Sequence, residues 1–294
     1  MQNPICLSPL KFRSSDKTLC ANKSYSYGHS SPILMPCYTL DPFQFVVPSN
    51  VSDITYAQLI SKDNTTVIIT GLIDKLKDNG LTVSYIDNKD TGHVNNVCVY
   101  PGLYDLGSII PHEGIYTLLL RDNKNNWYTS EPLCFTNDVD RLLTIEYWNA
   151  EGDFIIKNGV ITFADNFHFK LRLNTELGKP EYNFEEEVTK RLGYNFIESQ
   201  VSKKIYKFNA VVPEHICDAM RIIRLCSNKI ITSLDQTYDA LTFDMSVDWQ
   251  DQGDLASVNC EFEVDNIIGN LGGYGNIPGP DYNIDFSDDF NSED

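Results

Sequence analysis

The sequence predicts a mainly β protein: an N-terminal immunoglobulin-like β-sandwich, then a β-rich, split-barrel-like domain with one amphipathic helix, and flexible termini. Three observations predict it. Short segments of period-two alternation, rich in β-branched and aromatic residues, recur from residue 36 onward. Turns rich in Asp, Asn and Gly separate them. One stretch, 213–227, switches to helical period.

Residues 1–35 are polar and serine-rich, and read as an extended arm that orders only on a partner or on its own domain. From 36 to 140 the candidate strands are 43–47, 54–60, 66–70, 81–86, 97–100, 114–121 and 127–135. The connections at 62–64, 77–80, 88–90 and 122–125 carry Asp, Asn and Gly, which tolerate bent or left-handed backbone. Seven strands in about 100 residues have the size of an immunoglobulin-like sandwich. The Cys-Trp-Cys core of antibody domains is absent, so the expectation concerns architecture alone.

A second domain spans 141–268. Residues 142–148 form an apolar strand, and 154–163 a hairpin turning at Lys157-Asn158-Gly159. Phe167, Phe169, Leu171 and Leu173 alternate with His168, Lys170 and Arg172, and Tyr206, Phe208, Ala210 and Val212 repeat that pattern. The helix over 213–227 places Ile216, Met220 and Ile223 on one stripe, with Pro213 in its first turn, Glu214 beside its positive end and Asn228 as the stop. Residues 241–249 and 256–264 then make an antiparallel hairpin around 250–254, with one apolar and one polar face. Residues 269–294 lose all periodicity and read as a Gly/Pro-rich, acidic and aromatic tail.

The chain has 294 residues, with 41 acidic and 23 basic, a formal net charge of -18. Such acidity opposes nonspecific binding to phosphate backbones or anionic lipid, so neither nucleic acid nor a membrane is an expected partner. Part of it is a property of the tail. Residues 265–294 carry seven acids and no Lys or Arg, leaving 34 acids against 23 bases, or -11, in residues 1–264. No secretory signal or membrane-spanning apolar run is visible. The eight cysteines are scattered and fall in apolar patterns, as small buried hydrophobes do; only Cys6 and Cys20, in the extended head, have the setting for a disulfide.

Chemistry is sparsely signalled. His29, His93, His112, His168 and His215 lie far apart and in no ligand spacing; His112 reads as a turn residue and His168 as a polar strand position. Glu185-Glu186-Glu187 would have to serve as paired carboxylates, but adjacent residues do not converge on one bond, and 184–191 reads as a solvated helical turn or loop. Asp244, Asp248, Glu261 and Glu263 share the polar face of the last hairpin, without the spacing of a calcium loop. His215 and Cys217 are two apart on a helix and face away from each other. Nucleotide-binding and nucleophile-elbow motifs are missing. The expectation is a non-enzymatic chain with no catalytic residues, cofactor or metal, and with surface suited to assembly: flexible ends and sheet edges.

Several blocks carry a resemblance. They are Gly178-Lys179-Pro180-Glu181-Tyr182 with 184–188, Pro213-Glu214-His215-Ile216-Cys217-Asp218-Ala219-Met220-Arg221, residues 249–258 (WQDQGDLASV), and Glu261-Phe262-Glu263. These resemble a carboxy-terminal module of virion structural proteins from crAss-like and related tailed phages of gut Bacteroidetes. Leu40-Asp41-Pro42-Phe43-Gln44, Gly114-Ile115-Tyr116 and 127–131 look like the β-sandwich that accompanies it. The likeness covers about residues 36–268; the cysteine-bearing helix and the acidic end depart from it. It implies a tail or tail-hub component, assembled in the bacterial host cytoplasm into a ring with copies of itself and other tail proteins, and supplies no catalytic residues. The alternative from another class is a carbohydrate- or receptor-binding module, supported by 16 tyrosines and an exposed-looking Trp127-Tyr128. A glycosidase using Glu185 to Glu187 ranks last.

Overall fold

The computed structural model describes residues 10, 12–15, 32–37, 39–40, 43–47, 54–61, 66–68, 81–86, 94–100, 103–104, 113–149, 153–156, 159–162, 168–191, 194–249 and 255–270. Among these residues the protein is mainly β, with one α-helix. The chain divides into two compact units, Met1–Gly178 with Lys207–Phe262, and Lys179–Tyr206 with Glu263–Asp294.

The first twelve strands all lie in the first unit. They are β1 (Phe12–Ser15), β2 (Ile33–Pro36), β3 (Thr39–Leu40), β4 (Phe43–Val47), β5 (Ile54–Ser61), β6 (Thr66–Ile68), β7 (Leu81–Ile86), β8 (Val94–Tyr100), β9 (Leu103–Tyr104), β10 (Gly114–Asp122), β11 (Trp127–Ser130) and β12 (Leu133–Thr136). The centre of the largest sheet is β10. One of its edges pairs with β5, and β11 and β12 share the other. Tyr116 to Leu120 are all buried, so this strand is covered on both faces.

The single strand expected over 127–135 is two strands. Pro132 has no N–H to give to a ladder, and the chain steps at Glu131-Pro132. At the step the Leu118 N–H donates to Ser130 Oγ at 3.0 Å, so a side chain replaces the missing backbone acceptor. Two pieces of the supposed N-terminal arm also belong to this sheet: β1 is antiparallel to β11, and β2 is parallel to β12. At 12–15 and 33–36 the expected arm is thus extended strand held by the chain's own sheet, one of the two ways in which the sequence expects it to order. Separately, β4, β8 and β7 form a three-stranded sheet, and β3 pairs with β9.

A 3-10 turn at Val139–Arg141 leads into β13 (Leu143–Trp148), followed by β14 (Asp153–Ile156), β15 (Gly159–Thr162) and β16 (Phe169–Leu173). Next come β17 (Glu181–Arg191), β18 (Tyr194–Pro213), helix α1 (Glu214–Leu225), β19 (Asn228–Ser233), β20 (Gln236–Asp239), β21 (Asp244–Trp249) and β22 (Leu255–Asn270). A sheet of order β16-β13-β19-β20 buries Leu143, Ile145, Tyr147, Phe169, Leu171 and Ile231 on one side. Its strand β16 lies against β2, and β15 lies against β7, so residues on both sides of position 141 belong to one unit.

The helix is two residues shorter at its C-terminal end than expected. Pro213 is the N-cap and Glu214 sits in the first turn, while the chain leaves the helix at Cys226. His215, Ile216, Cys217, Ala219, Met220, Ile222 and Ile223 are buried, and Arg221 and Arg224 are exposed. Its end is tied twice. Arg224 meets Asp244 at 2.9 Å, and the buried Lys229 ammonium donates to the Cys226 carbonyl, placing positive charge at the negative end of the helix. Cys217, Cys226 and Cys260 are buried and free. Burial pushes all three thiols up, Cys226 and Cys260 to about 12, which leaves them as packing groups rather than nucleophiles. Cys6, Cys20, the side chain of Cys98, and residues 271–294 lie outside the described residues.

Candidate assembly surface

The second unit is built from Lys179–Tyr206 and Glu263–Asp294. Its described part is a long hairpin of β17 with residues 194–206 of β18, plus residues 263–270 of β22. The hairpin is paired from Glu181 with Ile205 to Arg191 with Tyr194. Residues 184–191 are therefore strand, not the helical turn or loop expected. An acidic run forms a strand here because its alternate neighbours, Tyr182, Phe184 and Val188, keep period two, and because β18 supplies polar partners opposite Glu186 and Glu187 and diagonal to Glu185.

Those partners are specific. Lys203 Nζ donates to Glu185 Oε1 at 2.6 Å, Gln200 Nε2 to Glu186 Oε1 at 2.8 Å, and Ser199 Oγ to Glu187 Oε2 at 3.1 Å. The Glu185 carboxylate, with Glu263 further off, holds the Lys203 ammonium above the ordinary lysine range. After Glu187 the register shifts by one residue, and Val188 pairs with Ile197. Glu185 and Glu187 point to one side of the strand and Glu186 to the other, so the three do not form a carboxylate pair about a common bond.

The two faces of the hairpin differ. On one, Glu181, Glu185, Glu187 and Lys203 form a charged row. On the other, Tyr182 is 61% exposed, Phe184 64% and Val188 49%. Ile267 and Ile268 in the same unit are exposed as well. A hairpin with a wet apolar row lacks the hydrophobic face that makes small sheets stable. Covering residues of this size stabilises an interface by roughly 1.5–3 kcal/mol each when burial is complete.

The first unit offers a second exposed apolar row. Strand β21 pairs with β22 from Trp249 opposite Ala256 to Asp244 opposite Glu261, as the sequence expects. On β22 the apolar side, Ala256, Val258, Cys260 and Phe262, is buried. On β21 it is not: Trp249 is 49% exposed, and Val247 and the preceding Leu241 are exposed too. Of the apolar positions expected on the first strand, Phe243 is buried and Met245 half-buried, so the face is closed on β22 and open on the other strand at Leu241, Val247 and Trp249.

The polar side of the same hairpin lines an open cleft of about 1010 Å³ whose walls include Thr175, Lys207, Asn209, Asp244, Asn259 and Glu261. Asn209 Nδ2 donates to Asn259 Oδ1 at 2.5 Å, and Thr175 Oγ1 donates to the Asn209 carbonyl at 2.6 Å. Gly178 lies so close to β18 that an added Cβ would sit 3.1 Å from the Lys207 carbonyl. Of the acids weighed as a cation site, Asp244 is held by Arg224 at 2.9 Å and Glu261 by Lys207 at 3.8 Å, while Glu263 lies 4.0 Å from Lys203. Three of the four are thus matched with a cation, the fourth, Asp248, is exposed, and no metal-ligating cluster occurs among the described residues.

The other sequence candidates have plain structural places. His168 stacks on Trp148 at 3.9 Å between ring centroids and contacts Glu146 through Nδ1. His112 lies outside the described residues. Trp127 and Tyr128 are buried, not exposed. The Arg121 guanidinium lies 5.5 Å from the Trp127 ring, and Tyr128 donates to Asp122, so this dipeptide is part of a core. No helix among the described residues is long and apolar enough to cross a membrane. Comparison with protein-family models, curated proteins and solved structures finds no match to this chain.

Proposed function

We propose that this chain is a non-enzymatic structural component of a tailed-phage virion, a tail or tail-hub subunit that assembles into a ring with copies of itself and with other tail proteins. One observation carries the reading: the hairpin of 181–206 holds Tyr182, Phe184 and Val188 in water on one face and a satisfied charged row on the other. Such an element is suited to gripping a neighbour. The resemblance of residues 36–268 to virion modules supports the same reading. In it, the N-terminal sheets act as an immunoglobulin-like sandwich presented outward or toward another component, and the sheets after residue 141 act as a split-barrel-like assembly domain. Mass photometry of the purified protein, alone and with neighbouring virion proteins, tests it. Complexes are expected with wild type and their loss with Phe184→Lys; a chain that stays monomeric and joins no virion protein sinks the reading.

The open cleft, whose walls also include Phe208 and Met245, favours a second reading, a carbohydrate- or receptor-binding module. Asn209, Asn259 and Thr175 supply neutral hydrogen-bonding groups of the kind sugars use, whereas the aromatic support from Trp127 and Tyr128 is gone. Saturable binding on a glycan array, abolished by Asn209→Ala, would favour it.

A further inference from the structure

We propose that copies of this chain join head to tail by strand addition, with β17 of one copy adding antiparallel to β21 of the next. This deepens the reading above, since it names the occupant of the exposed hairpin. Among the described residues β17 pairs only with β18 and β21 only with β22, so each presents a free edge. Free edges are templates for further pairing unless blocked by charge, proline or a bulge. Neither strand contains proline.

The two edges match in length and chemistry. Six residues of β17, Tyr182 to Glu187, precede the register shift after Glu187, and β21 is six residues long. Aligned antiparallel with Phe184 opposite Val247, they place Tyr182 opposite Trp249 and Glu186 opposite Met245 on the apolar side. On the polar side Asn183 meets Asp248, Glu185 meets Ser246 and Glu187 meets Asp244. Only the last is a like-charge pair, and Asp244 already carries Arg224 at 2.9 Å, which supplies the compensating cation. Moving Phe184 opposite Met245 instead creates two like-charge pairs, Glu185 with Asp244 and Glu181 with Asp248. Moving it opposite Trp249 sets Glu186 against Val247 and carries the register shift into the pairing. Cross-strand aromatic pairs stabilise a sheet and like charges oppose it, so the first alignment is selected. Because the two surfaces differ, the contact is heterologous and propagates to a closed ring or an open filament.

Site-directed cross-linking tests the contact. Phe184→Cys protein is mixed with Val247→Cys protein, and separately Tyr182→Cys with Trp249→Cys, under mild oxidation, with unmixed variants as controls. Covalent dimers are expected only in the mixtures, with linked peptides spanning positions 184 and 247, or 182 and 249. Absence of these links at concentrations where wild type self-associates overturns the proposal, as does a link of Phe184→Cys protein to itself. Phe184→Lys and Trp249→Lys are each expected to convert the wild-type oligomer to monomer, with the melting temperature that wild type has at a dilution where it is itself monomeric. A monomeric wild type that binds a purified neighbouring virion protein, and loses it on Phe184→Lys, overturns the pairing between copies yet leaves the hairpin as a docking element. A Phe184→Lys protein that keeps both self-association and neighbour binding overturns the docking reading itself.

Discussion

Asp122 shows how much one side chain organises here. It is 1% exposed, and Oδ1 accepts the N–H groups of Lys124 at 2.9 Å and Asn126 at 2.8 Å, while Oδ2 accepts from Asn126 Nδ2 and Tyr128 Oη. Burial by itself pushes the carboxyl up; the hydrogen bonds from Asn126, Lys124 and Tyr128 outweigh it and hold the group below the usual carboxylate range. The folded value lies under the unfolded one, about 3.9. The stability it contributes is therefore complete above that value and is lost as pH falls through the folded value. We predict that Asp122→Ala lowers stability at pH 7 by about 2–3 kcal/mol in urea unfolding, and that the gap from wild type narrows below about pH 4. Glu185 is a contrast: its carboxylate is exposed and its ion pair with Lys203 is screened by solvent, so Glu185→Gln should leave the urea midpoint nearly unchanged. The turn at 122–125 is legible in sequence, because Asp and Asn announce it and Asn125 takes φ of 63°. That Asp122 is also buried is not legible, since the burial depends on Tyr128 and β5 arriving beside it.

At the scale of elements, periodicity finds those whose two faces have different surroundings. It locates β4 and β7 to the residue and the helix to within two. It misses β17, where a run of glutamates masks the alternation, and the β19–β20 hairpin. That hairpin turns at Leu234-Asp235 with φ of 47° and 64°, a left-handed two-residue turn made without glycine or asparagine. Leu234 is exposed, so the residue gains nothing from the core to offset its backbone. We predict that Leu234→Asn combined with Asp235→Gly raises stability by about 1 kcal/mol, read as an upward shift of the melting temperature, with the fold unchanged by circular dichroism. An unchanged or lower melting temperature would contradict the left-handed turn.

For the whole molecule, the charge of -18 and the apolar surface answer different questions. Net charge argues against phosphate-rich partners. The exposed row Tyr182, Phe184 and Val188 and the half-exposed Trp249 argue for protein ones. On this basis Phe184→Lys is expected to change assembly and not folding: a smaller mass in mass photometry, and the same melting temperature as wild type once both are diluted to monomers. A lower melting temperature at that dilution would instead make Phe184 part of the fold's own core.

The sequence alone determines that this protein is mainly β, that a turn lies at 122–125, that a helix follows Pro213, and that the acidity concentrates toward the C-terminal end. These are local properties, set by residue spacing and turn chemistry over a few positions. Only the tertiary structure decides that pieces of the N-terminal segment complete a sheet, that Trp127 and Tyr128 are buried, that Asp244, Glu261 and Glu263 each meet a cation, and that 181–206 is a hairpin with an open apolar face. Each of these depends on which distant segment comes to lie alongside, and burial is a property of that neighbour as much as of the residue.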